Sequence, residues 1–396
     1  GEKIIDSFVK MPEVSEVIGR GSSKAFVKLE NGLDADLLVV PKESFGSAMQ
    51  YFTGSKEHGI AMRKIAISKG LRLNEWGIFD KQENRVAGET EEGVYSTLGL
   101  QWIPPEMREN RGEIEIAKIV DNNNGTQKKR PEKKMGMPQL IDYGDLKGDL
   151  QVHSNNTDGT MSIEEMALYA RDMFGLDYIA ISDHTKSLRL TNGLDEKQLL
   201  EQANIISELN DKIKKDNQNN NGNGKQSNKK NFRILSSAEV NILKDGSLDI
   251  PNNVLDKLDI VGAAIHSSFS LPEEVQTSRL ISAAKNPSVD IIFHPTGRII
   301  NRREGYPVDI PKLIDAAAQS KTILEIDAHY NRLDLKDEYI RLAIQNNVKL
   351  VIDSDAHHYS HYAFLLFGIG QARRGWAEKS DILNTLPARD LLDSIK

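Results

Sequence analysis

The chain has 396 residues, 39% hydrophobic and 28% charged, a composition typical of folded globular proteins and a length that predicts two domains. It has no cysteine, which excludes disulfides and thiolate metal sites, so any metal ligands must be imidazoles and carboxylates. The net charge of −7 argues against indiscriminate coating of nucleic acid, and no apolar run approaches the roughly 20 residues needed to span a bilayer.

The N-terminus, GEKIIDSF, lacks the basic and apolar segments of a signal peptide. Together with the absence of cysteine, this predicts a cytoplasmic protein with no membrane partner. The chain begins with Gly rather than Met, so we expect either processing or a piece of a longer protein.

The N-terminal region is predicted to be a small α+β domain. Apolar and β-branched runs flank an Asn-Gly turn, and a serine cap precedes a helical stretch that ends in glycine. The predicted elements are strands at Ala25–Leu29 and Asp34–Val40, a turn at Asn31-Gly32, a helix from Ser55 to Gly70, and a strand at Leu71–Trp76.

Two polar stretches are predicted to be connecting segments. Asp121–Lys134 has no apolar residue, and Lys214–Asn231 is an Asn-rich tract of low complexity. Neither buries enough surface to offset the entropy of ordering it. We expect the first to separate two domains and the second to be a disordered insertion within the C-terminal domain.

From Gly148 onward, short apolar runs end in polar, potentially ligating residues and alternate with helical patterns. Ser162 and Glu165 form a predicted capping box, and Asp309 with Pro311 opens another helix. Strands that alternate with helices predict a parallel sheet, and seven such units predict a (β/α) barrel with its site at the C-terminal strand ends. The seven runs are Leu150–His153, Tyr178–His184, Ile234–Glu239, Ile260–His266, Ile291–His294, Ile323–Asp327 and Leu350–His357.

Most of the histidines follow these strand ends, a distribution that scattered surface residues would not show. Imidazole and carboxylate ligands suit Zn²⁺, Mn²⁺ or Fe²⁺, and eight ligands predict two or three ions rather than one. Such a cluster polarises a phosphoryl oxygen and lowers the pKa of a bound water, and Glu239 is the predicted bridging ligand. Arg298 is a predicted phosphate clamp, with a surface salt bridge as the alternative. The predicted ligands are His153, Asp158, His184, Glu239, His266, His294, Asp355 and His357.

Six segments of the C-terminal region, in order, resemble the PHP (polymerase and histidinol phosphatase) domain: GDLQVHSNNTDGT, AISDHT, SSAEVNIL, AAIHSSF, IFHPTGR and DSDAHH. The resemblance implies a distorted (β/α)₇ barrel over residues 147–390, a trinuclear metal centre, and ligand roles for the eight residues above. The family opens with two histidines one residue apart, whereas this chain has Gln151 at the first position. Gln151 is therefore a weaker ligand at most, and one ion is expected to bind weakly or be absent.

Three motifs of the N-terminal region resemble the end of the palm and the thumb of family X DNA polymerases: LDADLLVVP, YFTGS and LNEW. The resemblance covers residues 1–115, with 116–146 as a linker. It implies that Asp36 is the third catalytic carboxylate. It also implies that Tyr51, Phe52 and Gly54 lie beneath an incoming nucleotide. The family's other two carboxylates and its Gly-Ser loop lie upstream and are missing here, so this chain is not expected to polymerise DNA.

The two resemblances together are similar to the bacterial and archaeal PolX family, in which a repair polymerase is fused to a PHP exonuclease. They imply 3′–5′ exonuclease activity with Glu239 and Arg298 in catalytic roles. The implied partners are primer 3′ ends and gapped or single-stranded DNA, with deoxynucleotides and Mg²⁺ in an intact form, and a monomer is expected. Two alternatives remain open: a degenerate barrel that binds DNA or serves as a scaffold, and a phosphomonoesterase similar to histidinol phosphatase.

Overall fold

The computed structural model describes residues 1–119, 136–221 and 232–395, and it divides the chain into two compact units, Gly1–Met137 and Pro138–Lys396. The predicted linker at Asp121–Lys134 lies wholly outside the described residues. The finer predicted domain bounds therefore stay predictions. Within the described ranges, no helix is both long and apolar enough to cross a membrane.

Unit 1 consists of short helices and two antiparallel three-stranded sheets, ordered β1-β2-β3 and β4-β5-β6. The predicted hairpin is present, with Phe26 paired to Asp36, and the Ser55 side chain accepts a hydrogen bond from the His58 amide as the predicted helix cap. The elements are α1 Glu2–Phe8, β1 Val14–Arg20, β2 Lys24–Leu29, β3 Asp34–Leu38, α2 Phe45–Thr53, α3 Lys56–Ser68, β4 Arg72–Asn74, β5 Gly77–Phe79, β6 Arg85–Ala87, α4 Glu91–Thr97 and α5 Glu113–Ala117.

A buried polar network joins the last helices of unit 1. The ring of His58 lies 2.7 Å from Glu113 through Nδ1 and 2.9 Å from the Tyr95 hydroxyl through Nε2. Arg108 is also buried and donates two hydrogen bonds to Glu91. Because each of these buried polar groups has a partner, the network fixes how the helices pack.

Unit 2 alternates strands and helices along the chain. Its elements are β7 Gly148–Val152, α6 Ile163–Asp172, β8 Tyr178–Ile181, α7 Glu196–Asn221, β9 Arg233–Ser236, β10 Glu239–Asn241, α8 Asn252–Leu255, β11 Gly262–Ala264, α9 Glu273–Ala284, β12 Ile291–Ile292, α10 Ile310–Ser320, β13 Ile323–Asp327, α11 Asp337–Gln345, β14 Leu350–Asp353, α12 Leu365–Arg374 and α13 Ala388–Ile395.

The strands of unit 2 form two open parallel sheets, ordered β7-β8-β9 and β10-β11-β12-β13-β14. Isolated parallel bridges link the two sheets, at Val152–Ala356 and at His184–Glu239. The fold is thus mixed α/β with parallel sheets, as predicted. Among the described residues of unit 2, regular strand pairing stops after β9 and after β14, so the sheets do not form a continuously paired, closed barrel.

Alternate residues of the strands pack into two separate apolar layers. In β8, Ile179 and Ile181 join the larger core beneath the helices, whereas Tyr178 and Ala180 join a smaller core on the opposite face. This explains why the strands are apolar almost throughout, since a sheet buried on both faces has no polar side.

Helix termini follow the predicted signals, with one correction. The capping box of Ser162 and Glu165 is confirmed at α6, and the Asp309 side chain caps α10. The disordered insertion predicted from Lys214 is wrong for its first eight residues, because α7 continues to Asn221. A long run of good helix formers upstream explains this, since adding residues to an existing helix avoids a new nucleation step. Residues 222–231 of that insertion lie outside the described residues.

Candidate metal centre

The predicted ligands come from seven different places in unit 2 and meet at one end of its strands. His153 follows β7, His184 follows β8, and Glu239 begins β10. His266, His294, Asp355 and His357 follow β11, β12 and β14, and the loop after β7 supplies Asp158. The C-terminal ends of parallel strands lie at the same edge, so residues distant in sequence converge there.

The backbone at two of these positions adopts a conformation that L residues rarely take. His294 has φ 29° and Asp355 has φ 51°. Such a conformation costs on the order of 1–3 kcal/mol and persists only where surrounding structure enforces it. Both residues are predicted metal ligands, so the strained backbone positions lie at the candidate metal centre.

In one group of four side chains, three histidines surround Asp158. Its Oδ2 lies 3.4 Å from Nε2 of both His184 and His357, and its Oδ1 lies 3.9 Å from Nδ1 of His153. One potential ligand atom from each of these four residues lies within 4.8 Å of all the others. A divalent ion fits the space between groups at such separations.

A second group is centred on Glu239, which is buried. Oε1 of Glu239 lies 3.0 Å from His266 and 2.7 Å from His294. Oε2 lies 3.1 Å from His184 and 3.5 Å from His153. Each carboxylate oxygen therefore faces a different pair of imidazoles, the arrangement needed for one oxygen to reach each of two ions.

Buried nitrogen atoms without a hydrogen-bond partner provide a test of whether these residues suit a metal. Both ring nitrogens of His153, Nδ1 of His184 and Nδ1 of His294 make no hydrogen bond, although those of His153 and His184 lie 3.1 to 3.9 Å from a carboxylate oxygen. An unpaired buried polar atom is unfavourable, and coordination of an ion is one way to satisfy it. The donor set of imidazoles and carboxylates matches Zn²⁺, Mn²⁺ and Fe²⁺. The residues therefore fit a metal centre.

Charges within the cluster shift the pKa values of its members. Burial opposes the charged form of His184, but the nearby Glu239 and Asp158 carboxylates outweigh it and raise the pKa of His184 to about 10. In the same way, Asp355 and Asp158 outweigh burial and raise the pKa of His357 to about 9. Burial lowers the pKa of His153, and the neighbouring His357 charge lowers it further. Without an ion, protons on two imidazoles thus balance the carboxylates.

Gln151 makes a different contact from the one expected of a ligand. With its amide nitrogen directed at Glu325, it lies 2.6 Å from Oε1 and 3.3 Å from Oε2 of that carboxyl group. Glu325 also accepts a hydrogen bond of 2.6 Å from the His294 amide, and its burial raises its pKa well above the ordinary value. Gln151 therefore hydrogen-bonds to Glu325, a partner that the sequence did not indicate.

Arg298 does not present its whole guanidinium to the centre. Nε donates to the Arg332 carbonyl at 2.7 Å, and Nη2 contacts the Leu333 carbonyl. The phosphate clamp stays a prediction, and two of the three nitrogens already hold the backbone that follows β13. Arg332 is closer to the ligands, with Nε 3.2 Å from Asp327 and 3.5 Å from Asp355. Nothing in the spacing of the sequence distinguished Arg332 from other surface arginines.

Side chains behind the ligands hold them in place. Asn241 Oδ1 lies 2.8 Å from Nδ1 of His266, which leaves Nε2 of that ring facing Glu239. Asp183 accepts hydrogen bonds from Ser154 and from Thr157, and so anchors the loop that carries Asp158. Such outer contacts orient metal ligands, and their loss typically weakens metal binding roughly 10- to 100-fold.

Three of the four predicted site residues of unit 1 lie together, and the fourth lies apart. Tyr51 and Phe52 are exposed at the end of α2, with ring centroids 5.2 Å apart. They line a cavity of about 330 Å³ together with Gly54, which ends α2 with φ 76°. Asp36 is exposed on β3 and does not line this cavity.

The chain shows clear similarity to known proteins. Residues 48–109 match the family model of the DNA polymerase beta thumb. The DNA polymerase/3′–5′ exonuclease PolX of Bacillus subtilis (strain 168) is 38% identical over 98% of this chain and 63% of its own length. A probable phosphatase of Thermoanaerobacter sp. (strain X514) is 37% identical over 31% of this chain and 52% of its own length. The chain thus spans about half to two-thirds of these relatives.

A solved structure is also similar in part. The crystal structure of Leishmania infantum polymerase beta in a ternary gap complex is 23% identical, with a TM-score of 0.24. The match covers 27% of this chain and 47% of that one.

Proposed function

Because this chain is a relative of PolX along almost its whole length, we propose that its metal centre hydrolyses phosphodiester bonds at the 3′ ends of DNA. The B. subtilis relative is named as a polymerase and a 3′–5′ exonuclease, and the shorter relatives as probable phosphatases. The chemistry common to the exonuclease and the phosphatases is hydrolysis at phosphorus. The proposed reaction is that of a 3′–5′ exonuclease, and the proposed role is in DNA repair.

The observation that carries the proposal is the position of Glu239 between two pairs of imidazoles. Its two oxygens lie within 3.5 Å of four histidine rings. When bound there, two divalent ions supply a positively charged clamp that polarises the phosphoryl group and stabilises the leaving oxygen. The group around Asp158 and the group around Glu239 share His153 and His184.

The remaining residues of the centre balance charge and hold the metal ligands in position. Arg332 lies beside Asp355 and Asp327, where its charge offsets theirs at the edge of the cluster. Asp183 holds the loop of Asp158, and Asn241 sets the rotation of the His266 ring. These contacts keep the ligands in position before substrate arrives, so little reorganisation is needed during the reaction.

Replacement of Glu239 tests the proposal. In Glu239→Gln, one oxygen becomes an amide nitrogen that cannot ligate, so we expect loss of at least one ion per chain. Hydrolysis of a 3′-labelled oligonucleotide should fall by more than roughly 100-fold. Metal content is measured by elemental analysis and hydrolysis by gel electrophoresis, with Mn²⁺ or Zn²⁺ supplied. Glu208→Gln, on the long helix α7, is the matched control. If the wild-type protein leaves DNA ends intact with Mn²⁺ and also with Zn²⁺, the proposal is refuted.

A phosphomonoesterase is the second candidate, favoured by the similarity to probable phosphatases. The comparison of turnover on p-nitrophenyl phosphate and on its diester, bis(p-nitrophenyl) phosphate, distinguishes the two. We expect the diester and DNA ends to be preferred, because the region that resembles a polymerase thumb implies a nucleic-acid substrate.

We further propose that the two open sheets of unit 2 correspond to a distorted (β/α)₇ barrel. The bridges at Val152–Ala356 and His184–Glu239 support this, since one joins β7 to the segment after β14 and the other joins the segment after β8 to β10. In unit 1, we propose that the cavity beside Tyr51 and Phe52 binds a nucleotide and that Asp36 is a remnant of a polymerase site. DNA as the partner, Mg²⁺ for polymerisation and a monomeric state belong to the same proposal.

A further inference from the structure

Five aromatic rings form a continuous surface in unit 2, which we name the rim cluster. Its members are His329 and Tyr330 after β13, and His361, Phe364 and Phe367 after β14. The centroids of Tyr330 and Phe364 are 5.2 Å apart, those of His361 and Phe364 5.0 Å, and those of Phe364 and Phe367 6.2 Å. Each ring thus contacts the next.

The rim cluster is partly exposed although it is rich in apolar rings, with His329, His361 and Phe364 half-buried. Tyr330 is 57% exposed and Phe367 is 52% exposed. Single exposed apolar side chains are common and need no explanation, but contiguous patches usually mark a binding surface. Phe364 also packs against the larger apolar core and so anchors the patch, while Tyr330 and Phe367 present exposed ring surface.

Direct contacts connect the rim cluster to the metal centre. The His357 amide donates a hydrogen bond of 3.3 Å to Nδ1 of His361. The His329 amide donates to Asp327, which also pairs with Arg332 beside Asp355. A molecule lying on the rings would therefore extend into the ligand cluster.

An arginine-containing loop borders the same surface. The Ile300 amide donates to the Asn331 carbonyl, which joins residues 298–303 to the segment that carries Tyr330. Within that loop, Arg302 is exposed. Flat rings together with a nearby cation are the two features that bind a single strand of nucleic acid, through its bases and its phosphates respectively.

We propose that the rim cluster stacks the unpaired bases of a single-stranded DNA end and so delivers its phosphodiester to the metal centre. This inference rests on the proposed function and adds the surface that receives the DNA strand. Stacking needs bases that are free of a complementary strand, so paired bases do not bind there.

Binding in the absence of metal tests the surface separately from hydrolysis. The probe is a fluorescein-labelled oligothymidylate, titrated with the full chain in EDTA at low salt and followed by fluorescence anisotropy. Each of Tyr330→Ala and Phe367→Ala should raise the dissociation constant roughly 10-fold, whereas Tyr330→Phe keeps the ring and should stay within about twofold of wild type. Arg302→Gln should reduce the slope of log affinity against log salt by about 0.7.

Two controls separate stacking from other effects. Tyr143→Ala removes an equally exposed tyrosine that precedes β7, at the other end of the strands, and should leave binding unchanged. Leu366→Ala removes exposed apolar surface without a ring. If Leu366→Ala weakens binding as much as Tyr330→Ala, or if neither ring variant weakens it, the stacking surface is refuted. Failure of the wild type to hydrolyse bis(p-nitrophenyl) phosphate with metal supplied would instead refute the proposed function.

Discussion

At the scale of single residues, Gln151 stands where the PHP pattern has a histidine ligand, and it donates to Glu325 instead. An amide that is already engaged with a carboxyl group is a poor competitor for a borderline metal ion. We therefore expect two ions per wild-type chain and three in Gln151→His, measured by elemental analysis after dialysis against Zn²⁺ or Mn²⁺. Gln319→His, at an exposed position of α10, is the control for adventitious binding. Three ions in the wild type would contradict the expectation.

The raised pKa values of His184 and His357 lead to a second prediction. With values of about 10 and about 9, both imidazoles are protonated at pH 7.5 in the metal-free protein, whereas a ligating imidazole must be neutral. Metal binding should thus release about two protons, and affinity should rise with pH, roughly 100-fold per unit between pH 7 and 8.5. His153 and His266, whose pKa values are lowered, should release none.

Calorimetric titration in buffers with different heats of ionisation measures that release. His357→Gln removes one of the two titrating ligands and should reduce the number of protons by about one. A heat of binding that does not depend on the buffer would show that the two imidazoles are already neutral before the ion arrives.

Residue types and their order along the chain predicted which side chains meet, but not how each one is engaged. Histidines and acids at strand ends could be identified because parallel strands bring those ends together. The contacts of Gln151, Arg298 and Arg332 could not be predicted, because all except that of Arg332 with Asp327 join segments far apart in the sequence. Their partners are Glu325, the carbonyls of residues 332–333, and the carboxylates of Asp327 and Asp355.

At the scale of elements, the strands of unit 2 were easier to predict than their pairing. Apolar runs bounded by polar residues located all seven strand regions to within a few residues, and capping signals located α6 and α10. The interruption between β9 and β10 was not predicted. It falls inside one apolar run, Ile234–Glu239, where no proline or glycine marks a break. The end of α7 was missed for a related reason, since composition alone does not show where an established helix stops.

The close packing of β11 against the residue after β12 gives a prediction at this scale. A Cβ added to Gly262 would lie 1.9 Å from the ring of Phe293, which belongs to the smaller apolar core. Gly262→Ala must therefore displace a buried ring and should destabilise unit 2 by roughly 1–3 kcal/mol. Urea unfolding measures the loss. Gly144→Ala, where no atom lies within 4 Å of the added methyl group, is the control. Equal stability of the two variants would contradict the packing argument.

At the scale of the whole molecule, all eight predicted metal ligands belong to Pro138–Lys396. That unit also contains both apolar cores, whose described members run from Ile141 to Ile395. The stability of a domain comes mainly from its own buried apolar surface, so a unit with a complete core can in principle fold alone. The chemistry of the centre and its structural support are thus contained in one unit.

We therefore expect residues 138–396, produced alone, to fold cooperatively and to bind as many metal ions as the full chain. Trp376 is the sole tryptophan of this fragment and reports its unfolding by fluorescence. Hydrolysis of bis(p-nitrophenyl) phosphate should stay within about twofold of the full chain, because no ligand is lost. Binding of duplex DNA with a recessed end should weaken, since the segment that resembles a polymerase thumb is removed. A fragment that folds but binds no metal would show that unit 1 contributes to the centre, contrary to the geometry around Glu239.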